Sequence, residues 1–247
     1  MAGCDEPGAS APTRAALVDE LRRRLTFTDR PATQSLVLVI LLWYGIQVGT
    51  LYLGWTDDQL QWVFTTASFP ELSPGLLLAI VSHAFPPNMT HLLGNSGFLW
   101  LFAGESEQHM GAIEVLTFFV ATALVSVTVS SAVTGDSTLG ASGGALAFVG
   151  FYGAHLLLVH RDRLALDTSG YGPLDEGALR TYWQGALLLF PIGFGLFMIG
   201  QHVGLVPAGR ADVIGHSVGL MLGVGYAVGR EWHQDRETFR EDMDNRC

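Results

Sequence analysis

The sequence predicts an all-α, polytopic membrane protein built as a bundle of six transmembrane helices. Three observations carry that prediction. Hydrophobic residues make up 49% of the chain and charged residues only 15%. The apolar residues fall into long runs. The arginines sit at the ends of those runs in a pattern that suits six crossings. A soluble domain is about 25% charged, and a bilayer core asks for roughly 20 mostly apolar residues per helix. Lipid offers the backbone no hydrogen-bond partner, so each span is expected to be a helix.

The elements run in order along the chain. Residues 1–34 form a polar, cytoplasmic N-terminal tail containing Asp5, Glu6, Asp19, Glu20 and Asp29. Those acids argue against a mitochondrial transit peptide, and no secretory or lipid-attachment signal is expected at Cys4, which lacks a preceding apolar run. Within the tail, Thr13–Thr28 with Arg22-Arg23-Arg24 reads as an amphipathic helix drawn to anionic lipid. The membrane domain is 35–229. Its first span is Ser35–Gly54. Trp55–Asn88, with Trp55, Trp62, Phe64 and Phe69 among acids, reads as short helices lying at the interface. Met89 to about Ala103 is a short second span, Ala112–Val133 a third and Ser142–Val159 a fourth. His160–Thr181 is a polar loop, Trp183–Gly204 a fifth span and Ala211–Gly229 a sixth. Residues 230–247 form a charged cytoplasmic tail.

Arginine placement sets the orientation. Arg14, Arg22, Arg23, Arg24 and Arg30 precede the first span. Arg161, Arg163 and Arg180 lie between the fourth and fifth, and Arg230, Arg236, Arg240 and Arg246 come after the sixth. With six crossings all three groups share one side and only Arg210 lies opposite. The expectation is a multi-pass cell-membrane protein with both termini cytoplasmic.

The formal net charge is −10 and the chain contains no lysine. That excludes general nucleic-acid binding, which rests on Lys and Arg contacts to phosphate. Acidic tails without lysine suit a high-salt cytoplasm, where screening blunts self-repulsion, so a halophilic prokaryotic source is expected. Cys4 and Cys247 have no disulfide or metal-site spacing. No metal and no cofactor are expected.

Polar residues inside spans are expensive and tend to be functional. His91, Asn95, Ser142 and His216 stand out. The second, fourth and sixth spans all run inward, which puts these residues at one depth in the outer leaflet. His91 and Asn95, spaced i, i+4, share a helix face. Glycines accompany them. Gly140 and Gly143 flank Ala141-Ser142, Gly150 lies two turns on, and Gly215, Gly219 and Gly223 recur every four residues. Small residues at that spacing let helices approach closely. Close approach of the fourth and sixth spans would bring His216, as general base, within hydrogen-bond reach of Ser142, as nucleophile. A serine at a helix start also meets exposed N–H groups that favour negative charge, and His91 and Asn95 can add donors to such an oxyanion hole.

His91-Leu-Leu-Gly-Asn95, Gly140-Ala-Ser142-Gly143 and Gly215-His216-Ser-Val-Gly219 resemble the three signatures of the rhomboid intramembrane serine proteases, prokaryotic type with a six-span core. The resemblance runs from about Ser35 to Gly229. It implies a rhomboid-like bundle and cleavage of peptide bonds in or near transmembrane segments of membrane-protein substrates. It implies a Ser142–His216 dyad without a third acid, and an oxyanion hole of His91, Asn95 and the Ser142 backbone. Three features depart from the family pattern. Pro74-Gly75 lies where many members carry Trp-Arg, Glu107-Gln108-His109 stands for Glu-x-Arg, and Leu146 replaces an aromatic.

Each polar residue also has a bland role. Ser142 can be an N-cap, and His216, His91 and Asn95 can be interhelical glue. His83 reads as an interfacial histidine. His155, His160, His202 and His233 need no role, and Phe190, Phe194 and Phe197 are expected to contact lipid. The alternative function is a catalytically inactive rhomboid-like protein that binds and escorts transmembrane segments. A transporter would need repeats or broken helices around a midplane site, and a metalloprotease something like His-Glu-x-x-His; the chain has neither.

Overall fold

Every element in the described part of the chain is helical. The computed structural model describes residues 18, 22, 29–66, 70, 73–83, 89–159, 176–205 and 212–244, with side chains at all of these except 159, 176–186 and 234–244. Of the amphipathic helix expected over Thr13–Thr28, only Val18 and Arg22 fall among these residues; both are helical and exposed.

Helix α1 (Pro31–Tyr52) begins ahead of the expected Ser35. Proline suits the first helical position because its missing N–H would have had no partner there. The next two N–H groups, of Ala32 and Thr33, each donate at 2.9 Å to the Glu107 carboxylate. A capping box at Thr56 opens α2 (Asp57–Phe64), and α3 (Gly75–Leu78) comes next. These are the short helices expected between the first two spans.

Helix α4 (Met89–Phe98) continues through a π-helical turn (Leu99–Ala103) into a last helical stretch (Gly104–Ser106). The π turn inserts about one extra residue and rotates the remainder of the helix by about 100°. Asn95 above it and Glu105 below it are both buried. Helix α5 (Ala112–Thr134) ends at Gly135, whose φ of 73° is the left-handed conformation a glycine C-cap adopts. Next come helix α6 (Ser142–Val159) and helix α7 (Glu176–His202). Helix α7 starts inside the stretch expected to be loop, where Ala178, Leu179 and Arg180 are all good helix formers. Helix α8 (Val213–Asp244) runs on from the expected sixth span into the expected tail.

The centre of the bundle is α6. Its residues from Ser142 to Gly153 are all buried, and α4, α5, α7 and α8 pack around it. The core is apolar, yet polar residues are buried within it and large apolar ones lie on the exterior. Thr33, Gln47, His83, Asn95, Ser126 and Ser130 are buried, while Leu38, Leu42, Ile113, Leu189, Leu196 and Met221 are exposed. So many large apolar side chains on the exterior suit contact with lipid. By length and apolar composition, α1 and α5 are long enough to cross a bilayer, and α6 and α7 carry shorter apolar stretches over Ser142–Leu158 and Leu187–His202. The expected six apolar spans are therefore met in part. Helix α4, with 10 residues, is too short, and α8 is not apolar enough over such a length.

Candidate active site

Ser142 is the first residue of α6, and the chain reaches it through Gly140, whose φ of 130° lies outside the range L side chains favour. The Gly140 N–H donates to the Ala79 carbonyl at 2.9 Å, which fixes the turn against the segment after α3. The first N–H groups of α6, including that of Ser142, have no acceptor within their own helix.

His91 closes over the same turn. A Cβ on Gly140 would lie 3.2 Å from His91 Cε1 and 3.4 Å from Ser142 Oγ. The imidazole and the hydroxyl thus share one face of Gly140. Asn95, one turn further along α4, donates through Nδ2 to His83 Nε2 at 3.1 Å and to His91 Nε2 at 3.3 Å. His83 Nδ1 donates to the Val81 carbonyl at 3.2 Å, leaving Nε2 as the acceptor.

His83 departs from the interfacial reading. It is fully buried, and Gln47 of α1 clamps its backbone: the His83 N–H donates to Gln47 Oε1 at 3.0 Å, and Gln47 Nε2 donates to the His83 carbonyl at 3.2 Å. Burial, with His91 beside it, pushes the imidazole down from 6.5 to about 4 and keeps it neutral.

His216 stands in the first turn of α8, the helix that packs along Ser142's own helix. Glycines set the spacing. A Cβ on Gly219 would lie 2.1 Å from the Gly143 carbonyl oxygen, one on Gly223 1.9 Å from the Ala147 oxygen, and one on Gly150 2.2 Å from the Leu220 oxygen. Backbone thus meets backbone along the α6–α8 seam, one residue from Ser142 and three from His216. Gly143 also backs onto Ser126 of α5, and Gly215 leaves room for the Asp212 carboxylate. Among the described residues, Ser142 and His216 are not hydrogen-bonded to each other. Catalytic hydrogen bonds are commonly long without substrate and tighten on binding.

Asp212, Ser130 and Ser217 escaped the sequence reading, and His202, read as needing no role, has a polar partner. Asp212 Oδ1 accepts from Ser130 Oγ at 2.6 Å and from the Gly215 N–H at 2.8 Å. Ser217 Oγ lies 2.9 Å from His202 Nε2. The signal for Asp212 was present in the sequence, as an N-cap residue three positions before a small one. Among the described residues no group of three or more His, Cys, Asp and Glu is arranged to hold a metal. An open apolar groove between α5 and α8, with Glu114 and Tyr226 at one end, contains none of the site residues.

The family model for the Rhomboid domain matches residues 74–231. The chain belongs to the rhomboid family. No curated protein matches it. Rhomboids are membrane-embedded and are generally serine proteases. The matched stretch takes in α3 to α7 and α8 as far as residue 231, with His91, Asn95, Ser142 and His216.

The first loop of this rhomboid is anchored by close backbone contacts and side-chain hydrogen bonds. Gly75 lies directly on the Thr65 carbonyl, where a Cβ would approach to 1.9 Å. Thr66 N donates to the Thr138 carbonyl at 2.9 Å, and Trp43 Nε1 donates to Ser82 Oγ at 3.0 Å. Glu107 of the altered Glu-x-Arg motif caps α1, and His109 offers its carbonyl to Arg230. Leu146 is buried and fills its position by packing alone. Phe190 and Phe194 are only partly buried. Both rings pack on Phe98 of α4, at centroid distances of 5.0 and 6.4 Å, while Phe197 is exposed.

Proposed function

We propose that this rhomboid is an active intramembrane serine endopeptidase of six membrane crossings, with both termini cytoplasmic, that cleaves transmembrane segments near the outer leaflet. The observation that carries this reading is the glycine seam, which sets the helix of Ser142 against that of His216 at backbone contact.

In the proposed reaction Ser142 Oγ attacks the scissile carbonyl carbon as His216 takes the hydroxyl proton. The carbonyl oxygen becomes an oxyanion beside the Ser142 N–H, the Asn95 amide and His91. Asn95 presents two N–H groups, both given to histidine nitrogens at rest. The one given to His91, which shares a face of Gly140 with Ser142, is the one proposed to turn toward the oxyanion. Protonated His216 then hands its proton to the leaving amine. Water, activated by the same imidazole, releases the acyl group. The dyad needs no cofactor and no metal.

The test is covalent labelling by a serine-directed fluorophosphonate, together with cleavage of a panel of transmembrane peptides read by mass spectrometry. The wild-type chain is expected to label and cleave. Ser142→Ala and His216→Ala should fold and do neither, and Asn95→Ala should cleave about 10²-fold more slowly. Cleavage retained in Ser142→Ala overturns the mechanism. A wild-type chain that binds the peptides but neither labels nor cleaves would be an escort instead.

A further inference from the structure

The geometry points to Asp212 as a positioning residue that holds the His216 imidazole in place through the first turn of α8. This inference rests on the proposed Ser142–His216 dyad. Asp212 is the N-cap of α8. Its carboxylate accepts the Gly215 N–H at 2.8 Å, and its carbonyl accepts the His216 N–H at 3.0 Å. Both bonds grip the backbone of His216 or its neighbour. The same carboxylate oxygen accepts Ser130 Oγ at 2.6 Å across a sequence separation of 82. Ser130 is buried on α5. The turn that carries His216 is therefore pinned to a second helix, in addition to its seam with α6.

Gly215 belongs to the same device. A Cβ there would meet Asp212 Oδ2 at 2.3 Å, so any side chain would push the carboxylate off the helix start. The motif Asp212-Val-Ile-Gly215-His216 reads as one unit: cap, two turn residues, a gap for the carboxylate, and the base. A second tether joins Ser217, next to His216, to His202 of α7 at 2.9 Å. Asp212 does not take a proton in the reaction. Its work is to restrict the orientations open to α8's first turn.

An Asn at 212 keeps the cap oxygen and the acceptor for Ser130, whereas Ala keeps neither. Three variants of the full chain therefore test the role in detergent: Asp212→Ala, Asp212→Asn and Ser130→Ala. Against a cleaved transmembrane peptide, Asp212→Ala is expected to lower kcat about tenfold with KM unchanged, since misplacement of a catalytic group costs rate rather than binding. Asp212→Asn should restore most of the loss, and Ser130→Ala should fall between. A second readout needs no activity. Acylation of His216 by diethyl pyrocarbonate, detected by peptide mass spectrometry, should be severalfold faster in Asp212→Ala than in wild type and near wild type in Asp212→Asn. Equal His216 acylation in wild type and Asp212→Ala overturns the positioning role. Failure of Asp212→Asn to rescue overturns it too. A chain inactive in wild type but with accelerated acylation in Asp212→Ala separates loss of the protease reading from loss of this one.

Discussion

His83 has no solvent exposure, its backbone is held by Gln47 and its ring by Asn95 and Val81. The neutral imidazole fits this setting and the cation does not. The native pKa of about 4 lies below the ordinary 6.5. Between those values the unfolded chain binds a proton that the folded chain refuses. The stability from neutral His83 is thus fully present above pH 6.5, declines as pH falls toward 4, and is lost by roughly 3 kcal/mol below that range. Thermal unfolding in detergent should show a midpoint that drops from pH 7 to pH 4.5. In His83→Gln that slope should flatten, and parallel slopes would count against the burial argument. The pairing of His91 with Asn95 was legible in the sequence because residues four apart on a helix are neighbours by geometry alone. The bonds of His83 to Gln47 and of Asp212 to Ser130 were not. They join residues 36 and 82 positions apart, and nothing local announces such a pair.

Between α6 and α8 the decisive feature is the absence of side chains. Lipid tails are as apolar as leucine, so helices associate in a bilayer through close packing rather than through burial from water. Gly219 and Gly223 turn their missing Cβ atoms onto the carbonyls of Gly143 and Ala147, and Gly150 turns its own onto that of Leu220. Backbone has no rotamer with which to retreat. Gly219→Ala should force the helices apart beside the dyad and slow peptide cleavage about 10²-fold. Gly225→Ala, where a Cβ meets nothing within 4 Å, should leave the rate unchanged. Similar rates for the two variants would argue that the seam does not set the catalytic distance. The repeat of glycines every four residues was readable in the sequence. That Gly215 instead accommodates a carboxylate was not, because the repeat is silent about which neighbour each glycine meets.

The two ends of the molecule are built differently. Around Ser142 the polar groups are spaced apart, as the proposed dyad requires. At the opposite end they saturate one another. Glu107 accepts from Ala32 N, Thr33 N and Thr33 Oγ1, while Arg30 pairs with Glu105 at 3.3 Å, both buried. These contacts lock the start of α1 to the end of α4 across 74 or 75 residues. Removing the acceptor leaves helix N–H groups without a partner, at about 1–3 kcal/mol. Glu107→Ala should therefore unfold at lower temperature in detergent while still labelling Ser142 at low temperature. An unchanged melting temperature would mean that water replaces the carboxylate at no cost.

Composition and the order of its motifs were enough to determine an all-helical chain of the rhomboid family that carries His91 and Asn95 on one helix, Ser142 on a second and His216 on a third. Apolar run length and helical spacing are local properties that can be counted along the residues. The fold alone decided which helix lies at the centre, which glycines touch backbone, how His83 is buried, and that an aspartate on α8 is tied to a serine on α5. Those outcomes depend on contacts between distant segments, whose free energies exist only once the helices have packed.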